Sequence, residues 1–290
     1  MRRFKLSFLL VLISISSFSQ ISTIKDKINN VINNKNAGIG VAILDLNSNE
    51  SVVINGEEHF PMQSVFKFPI ALKVLNDVDN DKIKLSDSIF ISSAELQKKT
   101  WSTIQEKYPN GNIKMALSDI IYYMVAISDN IGCDVILKNN GGASSVNHYL
   151  RSIGIENMTI KINEAEQQAK PDKQVQNWTT PNEAINLLTM FYKHSLLKPA
   201  TQNFLWDTMK KTATGSIKNK LPKGIVVIHK TGSAPNIKNG TAVNNDVGIM
   251  IFPNKKAVAY AIFIKDSKET SDTNYNIIAE IGKIIAENKK

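Results

Sequence analysis

Strand-like stretches sit at both ends of this 290-residue chain, and a long block of helical periodicity separates them. Near the start, Gly38 to Leu46 reads as a strand, Asn47-Ser48-Asn49 as a turn and Ser51 to Ile54 as the returning strand of a hairpin. Towards the end, Gly224 to His229, Val247 to Phe252 and Ala257 to Ile264 read as three more strands, with Pro253-Asn254-Lys255-Lys256 turning between the last two. An isolated hairpin is marginal in water, so the two groups are expected to join in one antiparallel five-stranded sheet. The spacing predicts helices over Ile24 to Asn34 and Ile277 to Ala286 flanking it, and over Phe68 to Leu75, Leu117 to Ala126, Ala143 to Ile153 and Pro181 to His194 between its halves. The expected fold is α+β. Residues 21–62 and 212–290 would form the α/β sheet domain and residues 63–211 an all-helical second domain. The chain would pass between the two parts twice, with a cleft where they meet.

Residues 1–20 stand apart from this plan. Arg2, Arg3 and Lys5 form a basic start, Phe8 to Ile15 is a short apolar run, and Ser17-Phe18-Ser19 offers small residues for cleavage. That is the layout of a secretory signal peptide, and the run falls short of the roughly 20 residues that span a bilayer. The mature protein is therefore expected to be soluble, secreted and periplasmic, with no membrane attachment after signal cleavage. Cys133 is the only cysteine, which excludes an intramolecular disulfide, and it reads as a buried small hydrophobe. The formal charge of +9 falls to +6 once the three basic residues leave with the signal. The remaining lysines are scattered without a dense basic run or interleaved aromatics, so a nucleic-acid partner is not expected, although anionic substrates would feel some attraction.

Three polar motifs carry chemistry. Ser64-Val65-Phe66-Lys67 opens the helical block, and residues three apart share a helix face, so the hydroxyl and the amine point the same way. Such a pair can act as nucleophile and proton acceptor, with helix-start amides favouring developing negative charge. A lone Ser-x-x-Lys is more often an N-cap serine near a surface lysine. Ser128-Asp129-Asn130 interrupts an apolar helical pattern, as an ordinary helix-ending turn also would. Lys230-Thr231-Gly232-Ser233 sits at the end of the strand Gly224 to His229, where a lysine and hydroxyls can bind a carboxylate.

Together, in this order, the three motifs resemble the signature of class A β-lactamases and penicillin-binding proteins. The similarity extends to Gln63-Ser64-Val65-Phe66-Lys67, Thr100-Trp101-Ser102 with Tyr108-Pro109-Asn110-Gly111, Gln176-Asn177-Trp178-Thr179 and Asn245-Asp246-Val247-Gly248. These look like the class A subgroup that includes extended-spectrum cephalosporinases of Bacteroidota, over nearly the whole mature chain. The resemblance implies a β-lactamase/penicillin-binding protein-like fold and a serine β-lactamase that hydrolyses penicillins and cephalosporins without a cofactor. It also implies a small-molecule β-lactam as the partner and a monomer as the working form.

By the same resemblance Ser64 is the nucleophile, Lys67 the proton-shuttling amine and Ser128 the donor to the ring nitrogen. Asn130 would bind the acylamide side chain, Lys230 and Thr231 the substrate carboxylate, and the amides of Ser64 and Ser233, beside Gly232, the oxyanion. Trp101 would wall the cleft, its alternative being a core aromatic. Class A enzymes activate the deacylating water with a glutamate on an Ω-shaped loop, and Glu164 and Glu166 both fall there. Counting back from Asn177-Trp178 favours Glu164, with Gln168 where many members place a water-binding asparagine. The arginine and aspartate that usually clamp the loop ends are replaced by Ile162 and Asn177. The arginine that often helps bind the substrate carboxylate is also missing from the strand Val247 to Phe252. Lys218 and Lys220 are candidates to replace it, or plain surface lysines.

Two rivals share the nucleophile: a penicillin-binding D-alanyl-D-alanine peptidase and a non-hydrolysing lactam sensor. The Glu164 loop argues against the first, and the second would need a membrane segment after the signal. A zinc enzyme is disfavoured because His59, His148, His194 and His229 are isolated. His229, just before Lys230, reads either as a structural residue at the strand end or as a catalytic one.

Overall fold

The computed structural model describes residues 23–96, 99–235 and 242–288, so the signal-peptide reading of residues 1–20 lies outside the described residues. A helix over residues 23–32 (α1) leads into strands β1 (Gly38–Asp45) and β2 (Ser51–Ile54). Seven helices of six residues or more follow among the described residues: α2 (Lys67–Asp79), α3 (Leu117–Ala126), α4 (Asn130–Asn139), α5 (Gly142–Ser152), α6 (Glu164–Ala169), α7 (Pro181–Tyr192) and α8 (Pro199–Lys210). The chain then returns through β3 (Val226–Ala234), β4 (Ala242–Ile251) and β5 (Ala257–Ser267) and ends in α9 (Ser271–Glu287). The sheet runs in the order β2-β1-β5-β4-β3, antiparallel throughout, so the first hairpin docks on the last strand as the sequence pattern predicts.

The central strands are apolar nearly end to end because both sheet faces are covered. Ala42, Ala259, Ala261 and Phe263 face the helical block and join its core with Phe60, Phe66, Phe68 and Phe191. Their neighbours Val41, Ile43, Val258, Tyr260 and Ile262 face the other way and pack with Ile28 of α1 and Ile277, Ile281 and Ile285 of α9. The period-2 alternation of a strand thus serves two cores at once.

Two details differ from the sequence reading. The middle block also holds a two-stranded hairpin, Ser88–Ile91 with Ile113–Ala116, and a small sheet of Phe60–Pro61, Trp178–Thr179 and Met158–Thr159. Strands of two residues carry no alternation, and the two strands of the hairpin are separated by residues 92–112 and not by a tight turn. β3 does not end at His229 either: it continues through Lys230-Thr231-Gly232-Ser233 to Ala234, paired with β4 along its length. The polar motif breaks the hydrophobic pattern but not the ladder, since backbone pairing is indifferent to side-chain polarity. Among the described residues, no helix is long and apolar enough to cross a membrane.

Candidate active site

Ser64 lies in a 3₁₀ turn, Gln63–Phe66, that runs directly into α2, so Lys67 becomes the first residue of the α-helix. The turn is fixed from three sides. The amide of Asn245 on β4 donates to the carbonyls of Pro61 (2.7 Å) and Met62 (3.0 Å), and the Met62 N–H donates to the carbonyl of Asn177 (2.9 Å). Gln63 adopts a left-handed φ of 47°, a position uncommon for a non-glycine residue. Its amide is held at both ends, donating to the Gln174 carbonyl (3.1 Å) and accepting from Gln167 (3.0 Å). From the fourth side β3 presses close. A Cβ on Gly232 would fall 2.4 Å from the Met62 carbonyl oxygen and 3.0 Å from the Ser64 nitrogen, so glycine is what lets the strand approach the serine.

Lys67 is wholly buried, and its Nζ stands among four oxygens: Ser64 Oγ (3.0 Å), the Ser128 carbonyl (2.8 Å), Asn130 Oδ1 (2.6 Å) and Glu164 Oε1 (2.8 Å). Glu164 Oε1 also accepts from Ser64 Oγ at 3.4 Å. Ser128 sits in the gap between α3 and α4 with φ 63°, and Lys230 Nζ donates to its hydroxyl at 2.9 Å. Burial, and then the nearby charge of Lys67, push the Lys230 ammonium well below the ordinary lysine range. Ser64, Trp101, Ser128, Asn130, Thr214, Thr231, Gly232 and Ser233 line a cleft of about 230 Å³. Lys67 and Lys230 are wholly buried beside this cleft, and Glu164 lines a neighbouring cavity together with Asn130 and Gln168. The chain folds as an α+β pair of layers with a serine, two lysines and a glutamate converging between them.

Comparison with known proteins decides what this arrangement belongs to. The β-lactamase enzyme family matches residues 23–288. The chain belongs to that family. It is 42% identical to β-lactamase VEB-1 of Pseudomonas aeruginosa, covering 95% of each chain, and 37% identical to extended-spectrum β-lactamase PER-1 of the same organism, covering 94% of this chain and 90% of that one. The crystal structure of TLA-1 extended-spectrum β-lactamase superposes with a TM-score of 0.89 at 38% identity, over 92% of this chain and 98% of that one. The chain is thus a β-lactamase of class A, grouped with extended-spectrum relatives, and the peptidase and sensor readings are not favoured.

Within this β-lactamase the two loop glutamates part company. Glu164 opens α6, buried, with its backbone N–H on Asp134 Oδ1 (2.7 Å) and that of Ala165 on Asp134 Oδ2 (3.1 Å). Glu166 is exposed and turned back in a capping box: its Oε2 accepts from the Asn163 N–H (3.1 Å) while Asn163 Oδ1 accepts from the Glu166 N–H (2.8 Å). Gln168 accepts at Oε1 from the Thr100 hydroxyl (2.9 Å) and lines the same cavity as Glu164. The residue sequence reasoning passed over is its neighbour Gln167, buried and bridging Gln63 to Asn177.

Asn177, noted only as a missing aspartate, is the loop's fastener. Its side chain accepts from the N–H groups of Lys161 (2.8 Å) and Ile162 (3.1 Å) and donates to the Ile162 carbonyl (2.9 Å). An amide carries both donor and acceptor, so it closes the loop without the arginine an aspartate would need. Trp101 is 58% exposed, with Nε1 donating to the Ile127 carbonyl, which fits a cleft wall and not a core aromatic. Lys218 is part-buried and donates to the Thr212 carbonyl (2.7 Å), while Lys220 pairs with Glu280 (2.6 Å), so both are engaged away from the cleft. Cys133 is buried, and burial pushes its thiol well up.

Proposed function

We propose that the protein hydrolyses penicillins and cephalosporins through a covalent acyl-enzyme on Ser64, as an exported, periplasmic monomer. The observation that carries this is Lys67 Nζ placed between Ser64 Oγ and Glu164 Oε1 behind an open cleft. An ammonium has three protons, and here it has four oxygen neighbours of which one is a carboxylate. Transfer of one proton to Glu164 leaves a neutral amine 3.0 Å from the serine hydroxyl, ready to take its proton.

Ser64 Oγ then forms a bond to the lactam carbonyl carbon, and the oxyanion is stabilised by the amides of Ser64 and Ser233. As the ring C–N bond breaks, Ser128 gives its proton to the nitrogen and recovers from Lys67 the proton that Lys67 took from Ser64. The Lys230 ammonium orients the Ser128 hydroxyl and, with Thr231, attracts the substrate carboxylate. Asn130 holds the acylamide, and Trp101 walls the cleft. Before the second half Glu164 returns its proton to Lys67, and the carboxylate so formed takes a proton from water. The hydroxide adds to the ester carbonyl, the C–Oγ bond breaks, and Ser64 regains its proton. No step draws on a cofactor.

The two layers would work as domains, residues 21–62 and 212–290 holding Lys230 to Ser233 and residues 63–211 holding the serines and Glu164. The test is hydrolysis of a chromogenic cephalosporin with intact mass followed during turnover, for the wild type and Glu164→Gln. Turnover by the wild type with an adduct persisting in the variant supports the reading. A wild type that stops after one stable adduct overturns it.

A further inference from the structure

Behind β3, on the face opposite Lys230, lies a second buried polar cluster that the steps above do not use. His229, Asp246 and Tyr260 are all closed off from solvent. Asp246 Oδ1 lies 2.9 Å from His229 Nδ1 and accepts from the Tyr260 hydroxyl at 2.9 Å, while Asp246 Oδ2 has no hydrogen-bond partner. Tyr260 is kept protonated, because burial and the Asp246 charge push its phenol well up. The other imidazole nitrogen, Nε2, faces the carbonyl of Thr212 at 3.4 Å.

Both ring nitrogens therefore face acceptors. In a neutral imidazole one nitrogen is itself an acceptor, and its lone pair would meet either a carboxylate or a carbonyl. A buried carboxylate with an orphaned oxygen also calls for a full positive charge beside it. Lys218 and Lys230 also feel the Asp246 charge, but their amines donate elsewhere, Lys218 to the second lone pair of the Thr212 carbonyl and Lys230 to the Ser128 hydroxyl and the Thr231 carbonyl. We propose that His229 is a positioning residue carrying protons on both ring nitrogens, and that this imidazolium clasps the segment 212–215 to β3.

What the clasp holds is the end of the cleft. Thr212 returns the contact by donating its hydroxyl to the His229 carbonyl (2.9 Å), and two residues on, Thr214 Oγ1 meets Thr231 Oγ1 at 2.6 Å. Gly215 closes over the cluster so tightly that a Cβ there would lie 2.8 Å from Asp246 Oδ2 and 2.5 Å from Thr231 Cγ2. Across the sheet Thr231 pairs with Asp246 and His229 with Gly248, so the charged pair and the Thr214–Thr231 contact share one face of β3. The charged or titratable groups facing His229 are Asp246 on β4, Tyr260 on β5 and, through the Thr212 carbonyl, Lys218. Loss of the imidazolium frees segment 212–215 and loosens the Thr214 contact that steadies Thr231 against the substrate carboxylate, with Ser64 and Lys67 left in place.

The inference rests on Thr231 binding that carboxylate, but its first test does not. Nitrogen-15 NMR of the histidine side chains, with His229 assigned by elimination from the signals lost in variants of the exposed His59, His148 and His194, is expected to show both of its nitrogens protonated at neutral pH. A single protonated nitrogen overturns the proposal, whatever the activity. The second test splits KM from kcat. His229→Asn keeps a donor for Asp246 but none for Thr212, and is expected to raise KM for a cephalosporin about tenfold, the effect of one lost contact of ~1.4 kcal/mol, with kcat within about twofold. His229→Gln reaches Thr212 and is expected to keep KM within about threefold of wild type. Unchanged KM in folded His229→Asn, or a loss confined to kcat, overturns the clasp; if neither variant folds, the wild-type spectrum decides.

Discussion

The two faces of β3 bury charge in opposite ways. On the cleft side, Lys67 pairs with Glu164 while Lys230 donates to neutral oxygens, the Ser128 hydroxyl and the Thr231 carbonyl, beside an opening. On the far side, His229 and Asp246 sit one against one under Tyr260 and Gly215, closed to solvent. A buried cation without its own partner is costly, and Lys230 registers that cost as a lowered pKa. The front face stores an imbalance that, under the proposed function, the carboxylate of a lactam would relieve. The rear face is balanced and spends its interactions on holding the strand and its neighbours. Substitutions in front should therefore change rates more than stability, and those behind the reverse.

The strongest break of that contrast is at the proposed nucleophile. Ser64→Ala is expected to lower kcat/KM by about 10⁴-fold or more while the thermal midpoint stays within a few degrees, read by cephalosporin hydrolysis and calorimetry. Next comes Glu164→Gln, expected to lower kcat by about 10³-fold and accumulate the acyl adduct, as intact mass will record. Glu166→Gln removes only a helix cap and should leave kcat within about twofold. If Glu166→Gln traps the adduct instead, the assignment of the base to the buried glutamate fails.

A pH profile sharpens the comparison at the next level. The Lys230 pKa is lowered in the folded protein, so its charge is lost below the ordinary lysine range as pH rises. The limb of kcat/KM is expected to fall there by about tenfold per unit. A bound carboxylate favours the ammonium, so kcat should hold to higher pH than kcat/KM, and coincident limbs would contradict that. The stability sign is opposite. Between the lowered folded value and the unfolded value near 10.5, the unfolded chain binds the extra proton, so Lys230 contributes increasing stability as pH rises through that window. The smallest effect expected is behind β3: Tyr260→Phe removes one donor to Asp246 and should cost ~1–3 kcal/mol in denaturant unfolding with kcat unchanged.

Much of this was legible in the sequence. Hydrophobic periodicity placed the five long strands and the main helices, because continuous apolar runs leave a chain few other ways to bury them. The polar triplets stood out against that pattern, and Ser64 and Lys67, three residues apart, could be put on one face before any coordinates. What stayed hidden depends on pairing between distant segments. Glu164 and Glu166 are two residues apart and chemically identical, and only the capping box that turns Glu166 outward and the Lys67 contact that draws Glu164 inward separate them.

Asn177 read as a missing clamp because nothing local says that its amide reaches Lys161 and Ile162. His229 read as open between roles for the same reason: its partners, Asp246 and Thr212, are each 17 residues away. Local pattern thus fixed which segments fold as strands and helices and which residue types carry the chemistry. Tertiary structure decided which donor meets which acceptor, because hydrogen bonds and ion pairs depend on distances of a few ångströms that spacing along the chain does not constrain.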